Sequence, residues 1–112
     1  MSQITTHVLD TSLGRPAAGM PVTLEIQAGN SWKEISRGAT DADGRLRHLF
    51  EPGALAEATY RLTFETGAYF NSRKIQALYP TISIAFQVAN KSEHYHIPLL
   101  LSPYGYSTYR GS

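Results

Sequence analysis

The chain has 112 residues, of which 42% are hydrophobic and none is a cysteine, and its formal net charge at pH 7 is +1. This composition is typical of one globular domain, and it excludes disulfide bonds and thiolate metal sites. The charge includes no basic block that would indicate a nucleic acid partner, and no apolar run approaches the roughly 18 residues that span a membrane. We therefore expect a single domain over residues 1–112, without a signal peptide and located in the cytoplasm.

Short alternating runs of apolar and polar residues, separated by turn residues about every eight to twelve positions, predict an all-β sandwich. In chain order the predicted strands are Ile4–Asp10, the run around Val22, Leu24 and Ile26, Trp32–Arg37, Arg45–Leu49, the run around Tyr60, Leu62 and Phe64, Ile82–Val88, His94–Ser102 and Gly105–Arg110.

The segments between these strands carry turn residues and one helix signal. They predict a loop over Thr11–Pro16, a hairpin turn over Ala28–Ser31 and a turn over Asp41–Gly44. The only helix that we expect covers Asn71–Leu78, with its first residue as the N-cap and Pro80 as its stop.

Strand parity places two histidines on an outward face. In the first strand and in the strand near the C-terminus, the well-marked apolar face must be the interior of the sandwich. His7 and Leu9 of the first strand then point outward, as do His96, Pro98 and Leu100 of the later one. Because leucine and proline beside histidine are rarely left in bulk water, we expect this face to meet another subunit or to line a cleft.

The end of the chain adds a second signal. Tyr109–Ser112 follows directly on a predicted strand, and a tail anchored in this way can place Ser112 beside residues of another strand. The polar cluster Glu93–His96 lies upstream and leads into an apolar run. Histidines that lead into a strand, together with a tail that returns past them, predict a functional site.

Taken alone, these residues leave other interpretations open. A strand histidine such as His7 is most often a surface residue, and Arg45 after a turn is usually solvated. His94 and His96 could bind zinc with His7 as a third ligand. The chain could also be a purely structural sandwich.

Several segments together carry a family resemblance. They are His7–Asp10, Gly14–Ala17, Thr40–Arg45, Thr66–Phe70, Tyr79–Pro80, His94–Thr108 and Tyr109–Ser112. Over nearly its whole length the chain resembles the transthyretin-like proteins, and within them the branch that hydrolyses 5-hydroxyisourate, because that branch has both histidines and the Tyr-Arg-Gly-Ser ending.

The resemblance implies a transthyretin-like β-sandwich of seven or eight strands with one short helix. It also implies a homotetramer, built as a dimer of dimers, with active sites in the channel between the dimers. The implied reaction opens the six-membered ring of 5-hydroxyisourate to give 2-oxo-4-hydroxy-4-carboxy-5-ureidoimidazoline, with no cofactor and no metal. A transthyretin-like carrier of small molecules, without catalysis, is the alternative.

The residue types suit that hydrolysis, which needs an activated water, a stabilised oxyanion and a proton for the leaving nitrogen. Histidine serves as base and acid near neutral pH, and arginine presents a planar fork to anionic oxygens. The positions that match the family pattern are His7, Arg45, His96 and Ser112 as catalytic residues, and His7, Arg45, Tyr109, Arg110 and Gly111 as substrate-binding residues.

Overall fold

The computed structural model describes residues 3–49, 53 and 55–112. Within these residues nine strands and one helix are formed. The strands are β1 (Ile4–Asp10), β2 (Arg15–Pro16), β3 (Pro21–Ala28), β4 (Ser31–Ala39), β5 (Arg45–Leu46), β6 (Ala58–Phe64), β7 (Ile82–Val88), β8 (Tyr95–Ser102) and β9 (Gly105–Thr108), and the helix α1 spans Thr66–Ser72. No described helix is long and apolar enough to cross a membrane.

The strands form two sheets, which confirms the predicted all-β sandwich. The first sheet has the order β2-β1-β8-β9, with β5 also paired to β1, and the second has the order β4-β3-β6-β7. β1 and β8 run parallel along their whole length, from Ile4 beside Tyr95 to Asp10 beside Leu101. On its other edge β1 pairs with β5 and then with β2.

The core lies between the inner faces of the two sheets. Ile4, Thr6 and Val8 of β1 are at most 1% exposed, and the alternate residues of β8 are buried as well. They pack against apolar residues of the second sheet, of which Leu24 and Phe64 are fully buried. The predicted parity of β1 and β8 is therefore confirmed, and the opposite face of the first sheet carries the histidines.

One strand prediction and one loop prediction were wrong at the edge of β1. The predicted strand Arg45–Leu49 ends at Leu46, because Leu46 and Leu49 are both buried although their spacing would place them on opposite faces of a continuous strand. The predicted loop Thr11–Pro16 contains β2, whose Arg15 and Pro16 pair with the end of β1. Proline is tolerated there because the strand is at the edge of the sheet.

The helix prediction was also wrong: the helix is Thr66–Ser72 and not Asn71–Leu78. Tyr69 and Phe70 are buried and hold this segment against the core, whereas the stretch that follows packs Ile75, Ala77 and Tyr79 against the core at a spacing of two, which suits an extended chain and not a helix. Asn71 lies in the last turn, where its carbonyl accepts a hydrogen bond from the amide of Lys74. The chain then leaves the helix at Lys74, whose φ is 59°.

A buried carboxylate connects the helix to β1. Asp10 is 0% exposed, and its Oδ2 accepts a hydrogen bond of 2.8 Å from the hydroxyl of Tyr69. Its Oδ1 accepts from the amide and the hydroxyl of Ser12, and a guanidinium nitrogen of Arg73 lies 3.5 Å from Oδ2. Burial, followed by the hydrogen bond to this carboxylate, raises the pKa of Tyr69. These contacts satisfy a charged group that would otherwise be costly to bury.

Removing the Tyr69 hydroxyl should destabilise the fold. Tyr69→Phe leaves Oδ2 of the buried Asp10 without its short hydrogen bond, and we expect it to lower the free energy of unfolding by about 1.5–3 kcal/mol. Urea denaturation at fixed protein concentration measures this difference. Tyr104→Phe, at a tyrosine that is 63% exposed, is the matched control and should change stability by less than about 0.5 kcal/mol. Equal stability of the two variants would contradict the prediction.

Candidate active site

Strand pairing brings the predicted site residues onto one face of the first sheet. The register of β1 with β8 places Thr5 beside His96 and His7 beside Pro98. The register of β1 with β5 places Arg45 beside His7. Since paired residues project from the same side of a sheet, these side chains share the face opposite the core.

The C-terminal tail returns along the other edge of β8. β9 pairs Leu99 with Thr108, and after a short break Gly111 pairs with His96 in the same register. The amide of Gly111 donates a hydrogen bond of 2.7 Å to the carbonyl of His96. A Cβ on Gly111 would lie 2.5 Å from Cδ2 of His96 and 3.2 Å from Cγ of Pro98, so only glycine fits between the tail and the imidazole.

The side chain of Arg110 holds this tail in place. Its Nη2 lies 2.9 Å from the carboxylate of Glu93 and 3.1 Å from the carbonyl of His94, and its guanidinium stacks 4.3 Å from the centre of the Tyr95 ring. Tyr109 is 57% exposed, and together with Arg110 it lines a separate groove of about 280 Å³ beside β7. The structure therefore brings Gly111 and Ser112 to the histidines and directs the other two tail side chains elsewhere.

A cavity of about 490 Å³ opens on this face. Its walls combine hydroxyl, imidazole and guanidinium groups, and they are formed by Thr5, Thr6, Arg45, Arg47, His48, His94, His96 and Ser112. Three of the four residues predicted to be catalytic line it directly. The fourth, His7, lies next to Arg45 in the strand pairing and is not part of the wall.

The turn before β5 positions both Arg45 and His7. Oδ1 of Asp41 accepts hydrogen bonds of 2.9 Å from the amides of Asp43 and Arg45. The hydrogen bond from Arg45 is the largest cause of the change in the pKa of Asp41, which it lowers. Nε2 of His7 lies 2.9 Å from the carbonyl oxygen of Asp43. Because a carbonyl can only accept, this nitrogen of His7 carries a proton in that hydrogen bond.

The surroundings of His96 favour its neutral form. Burial is the largest cause that lowers the pKa of His96, followed by repulsion from His94, Arg45 and His7. A lowered pKa favours the unprotonated imidazole at neutral pH. His96 is therefore ready to accept a proton, as a general base requires.

The sequence analysis did not assign Thr5, Arg47 or His48 to the site, and it placed His94 in the polar cluster beside the tail without giving it a role other than that of a metal ligand. In the predicted strands Arg45–Leu49 and His94–Ser102, a spacing of two puts Arg47 on the face of Arg45 and His94 on the face of His96, so this signal was present in the sequence. Among the described residues no three histidine, cysteine or carboxylate side chains are grouped to hold a metal ion. The two histidines of the His94–His96 pair face the hydroxyl of Thr5 instead.

Comparison with known proteins agrees with this geometry. The sequence profile described as the HIUase/transthyretin family matches residues 4–111. The chain belongs to this family. A 5-hydroxyisourate hydrolase from Salmonella typhimurium is 47% identical over 109 residues, which cover 97% of this chain and 80% of the relative. The family resemblance and the transthyretin-like fold predicted from the sequence are confirmed.

Two solved structures of family members, one a hydrolase and one a transthyretin, both have a backbone close to that of this chain. The 5-hydroxyisourate hydrolase of Klebsiella pneumoniae has a TM-score of 0.85 and 36% identity, covering 97% of this chain and 98% of its own. A sea bream transthyretin in complex with thyroxine has a TM-score of 0.92 but 26% identity, covering 98% and 95%. The side chains therefore carry the distinction that the shared fold does not.

Gly111→Ala should disturb the contact between the tail and His96. The added Cβ cannot be placed without moving the imidazole, the Pro98 ring or the tail, and we expect changed imidazole resonances of His96 in NMR spectra and a displaced tail in a crystal structure of the variant. Gly105→Ala, near the start of the same C-terminal segment, is the matched control, because its Cβ would meet no atom closer than 3.7 Å. Unchanged His96 resonances in Gly111→Ala would contradict the close packing described above.

Proposed function

We propose that this chain hydrolyses 5-hydroxyisourate in urate degradation, opening the six-membered ring to give 2-oxo-4-hydroxy-4-carboxy-5-ureidoimidazoline, and that it does so in the cytoplasm. The observation that carries the proposal is the cavity in which the neutral imidazole of His96 lies with Arg45 and the end of the tail. The Salmonella typhimurium and Klebsiella pneumoniae relatives named as 5-hydroxyisourate hydrolases support it, at 47% and 36% identity.

The reaction requires a base that can later act as an acid. Water attacks a ring carbonyl carbon, a C–O bond forms, the C–N bond of the ring breaks and the leaving nitrogen takes up a proton. We assign the removal of the proton from water to His96, because its lowered pKa keeps it unprotonated and because no hydrogen bond within the described part of the chain involves its Nε2. Such general acid–base catalysis is worth about 10²–10⁴ in rate.

Arg45 and His7 hold the substrate in this proposal. The backbone of Arg45 is fixed by Asp41, so its guanidinium enters the cavity from a defined position and can pair with anionic oxygens of the heterocycle. A donor that meets the developing oxyanion contributes roughly 3–4 kcal/mol to the transition state. His7, held by the carbonyl of Asp43, borders the same face beside Arg45.

In this proposal the C-terminal tail both contacts the substrate and holds other site residues in place. Ser112 lines the cavity, and its hydroxyl is available to the substrate or to the attacking water. Gly111 leaves the room that the His96 ring needs, and Arg110 fixes both residues through Glu93. We propose that Arg110 and Gly111 support binding by holding Ser112 and His96, while direct packing of Tyr109 on the substrate stays a prediction.

A carrier without catalysis is the alternative, and the backbone similarity to a transthyretin solved with thyroxine fits it. A carrier is expected to present a mainly apolar channel. The cavity here is lined instead by arginine and histidine side chains, which suit an anionic substrate and proton transfer. This lining favours the hydrolase.

We further propose a homotetramer, a dimer of dimers, in which the cavity faces the channel between dimers. The cavity lies on an outer sheet face, and the large side chains of Leu78 and Tyr106 are at least 45% exposed elsewhere on the surface, as is typical of interfaces. Light scattering after size-exclusion chromatography should give a mass four times that of the 12.4 kDa chain. A fully active monomer at micromolar concentration would contradict the tetramer.

The hydrolase proposal has a direct test. 5-Hydroxyisourate, generated from urate with urate oxidase, decays spontaneously, and the protein should accelerate the loss of its ultraviolet absorbance. His96→Ala and deletion of residues 110–112 should each lower kcat at least about tenfold, because they remove the base and the end of the cavity wall.

Arg37→Ala is the control for the deletion, since it removes an exposed arginine that forms an ion pair with Glu34 away from the cavity. This variant should keep full activity. Absence of acceleration by the unaltered protein would rule out the hydrolase, and full activity of the truncated protein would limit the tail to a structural role.

A further inference from the structure

One hydroxyl group connects two histidines at the wall of the cavity. Oγ1 of Thr5 lies 2.8 Å from Nδ1 of His96 and 3.0 Å from Nε2 of His94. The two imidazole rings are nearly parallel, at 17°, with centres 6.3 Å apart. Thr5 is only 3% exposed, so water has little access to its side chain. The register of β1 with β8 fixes this arrangement, because it places Thr5 directly beside His96.

The chemistry of a hydroxyl couples the protonation of the two rings. A hydroxyl has one proton and two lone pairs, so it can donate to at most one of the two imidazoles, and when it donates to one ring it accepts from the other. When the hydroxyl proton is used within this pair, either Nδ1 of His96 carries a proton and Nε2 of His94 is bare, or the reverse holds. In the first state Nε2 of the neutral His96 is bare toward the cavity and can accept a proton. In the second it carries a proton and can donate it.

We propose that Thr5 transfers a proton between His96 and His94, so that the two histidines act as one acid–base unit in the hydrolysis proposed above, on which this inference rests. When Nε2 of His96 accepts a proton from the attacking water, Nδ1 of His96 releases its own proton to Oγ1 of Thr5. The hydroxyl proton of Thr5 moves at the same time to Nε2 of His94. His96 is then neutral with a proton on Nε2, and His94 carries the positive charge. The reverse transfer accompanies donation from His96 to the leaving nitrogen.

The surroundings favour this direction of charge movement. His96 is half-buried, and burial disfavours its charged form, whereas His94 is exposed and its cation would be hydrated. The groups that face the His94–His96 pair are mostly basic, so they disfavour a positive charge on the half-buried ring of His96. They are His7 on β1, Arg45 on β5, Arg47 and His48 after β5, and the Arg110–Glu93 ion pair at the tail.

The position of His94 is also held from the tail. The guanidinium of Arg110 donates to the carbonyl of His94, and the amide of the next residue, Tyr95, donates 2.7 Å to the carbonyl of Gln3. The backbone at His94 and Tyr95 is therefore held by hydrogen bonds, which keeps the ring of His94 near the hydroxyl of Thr5, as a proton path requires.

The coupling of His94 and His96 through the Thr5 hydroxyl can be tested without substrate. Long-range ¹H–¹⁵N NMR spectra of the free protein report which imidazole nitrogens carry protons. In the unaltered protein and in Thr5→Ser, which keeps the hydroxyl, we expect Nδ1 of His96 and Nε2 of His94 to be in opposite states. In Thr5→Val, which keeps the shape but cannot hydrogen-bond, this complementarity should be lost, and protonation of His96 should no longer shift the ¹⁵N resonances of His94.

Kinetics with 5-hydroxyisourate test the role in the reaction. Thr5→Val should lower kcat at least about tenfold with KM changed less than about threefold, because a proton-transfer step is impaired while substrate binding is kept. Thr5→Ser should retain about half of kcat or more, since its hydroxyl serves the same path. His94→Gln, which can hydrogen-bond to Thr5 but cannot hold a second proton, should lower kcat as Thr5→Val does.

Each opposite result overturns the proposal. Equal losses in Thr5→Val and Thr5→Ser would mean that Thr5 acts through packing, and full activity of His94→Gln would remove His94 as a proton acceptor. Unchanged histidine resonances in Thr5→Val would exclude the coupling itself. A complete lack of hydrolysis by the unaltered protein would overturn the proposed function, whereas the NMR comparison would still decide whether Thr5 couples the two rings.

Discussion

The structure depends on the parallel pairing of β1 with β8. Ile4, Val8, Ile97 and Leu99 from these strands are buried in the core, so a shift of the register by one residue would turn them to the outer face and the polar side chains inward. The cost of such a shift fixes the register. The same register then places Thr5 beside His96 on the opposite face. The packing of the core thus positions the site on the opposite face of the sheet.

The tail uses the same sheet to complete the site. β9 follows β8 in antiparallel register, and Gly111 resumes that register beside His96 after a break of two residues. Backbone pairing is a stiffer connection than a flexible chain end, so Ser112 reaches the cavity at a defined place. Burial lowers the pKa of His96 most, and repulsion from His94, Arg45 and His7, which come from three separate segments, lowers it further. The preference of this half-buried imidazole for its neutral form is therefore a property of the assembled sheet.

One fold serves different functions in this family. The backbone is as close to a transthyretin solved with thyroxine as to a 5-hydroxyisourate hydrolase, with TM-scores of 0.92 and 0.85. Function must then be read from the side chains on the outer face of the first sheet, where Arg45, His94 and His96 line a basic cavity. Because these residues face away from the core, they can differ between relatives without changing how the sandwich packs.

The sequence by itself determined the long strands, their buried faces and the outward direction of His7 and His96, because alternation with a period of two is local and the core enforces it. It also carried the family motifs. Tertiary structure decided the helix, since burial of Tyr69 outweighed the capping signal at Asn71. It likewise decided the wall of the cavity, because strands far apart in sequence form it. No local pattern records which strand lies beside which, and pairing across the sheet alone brings Thr5 between two histidines.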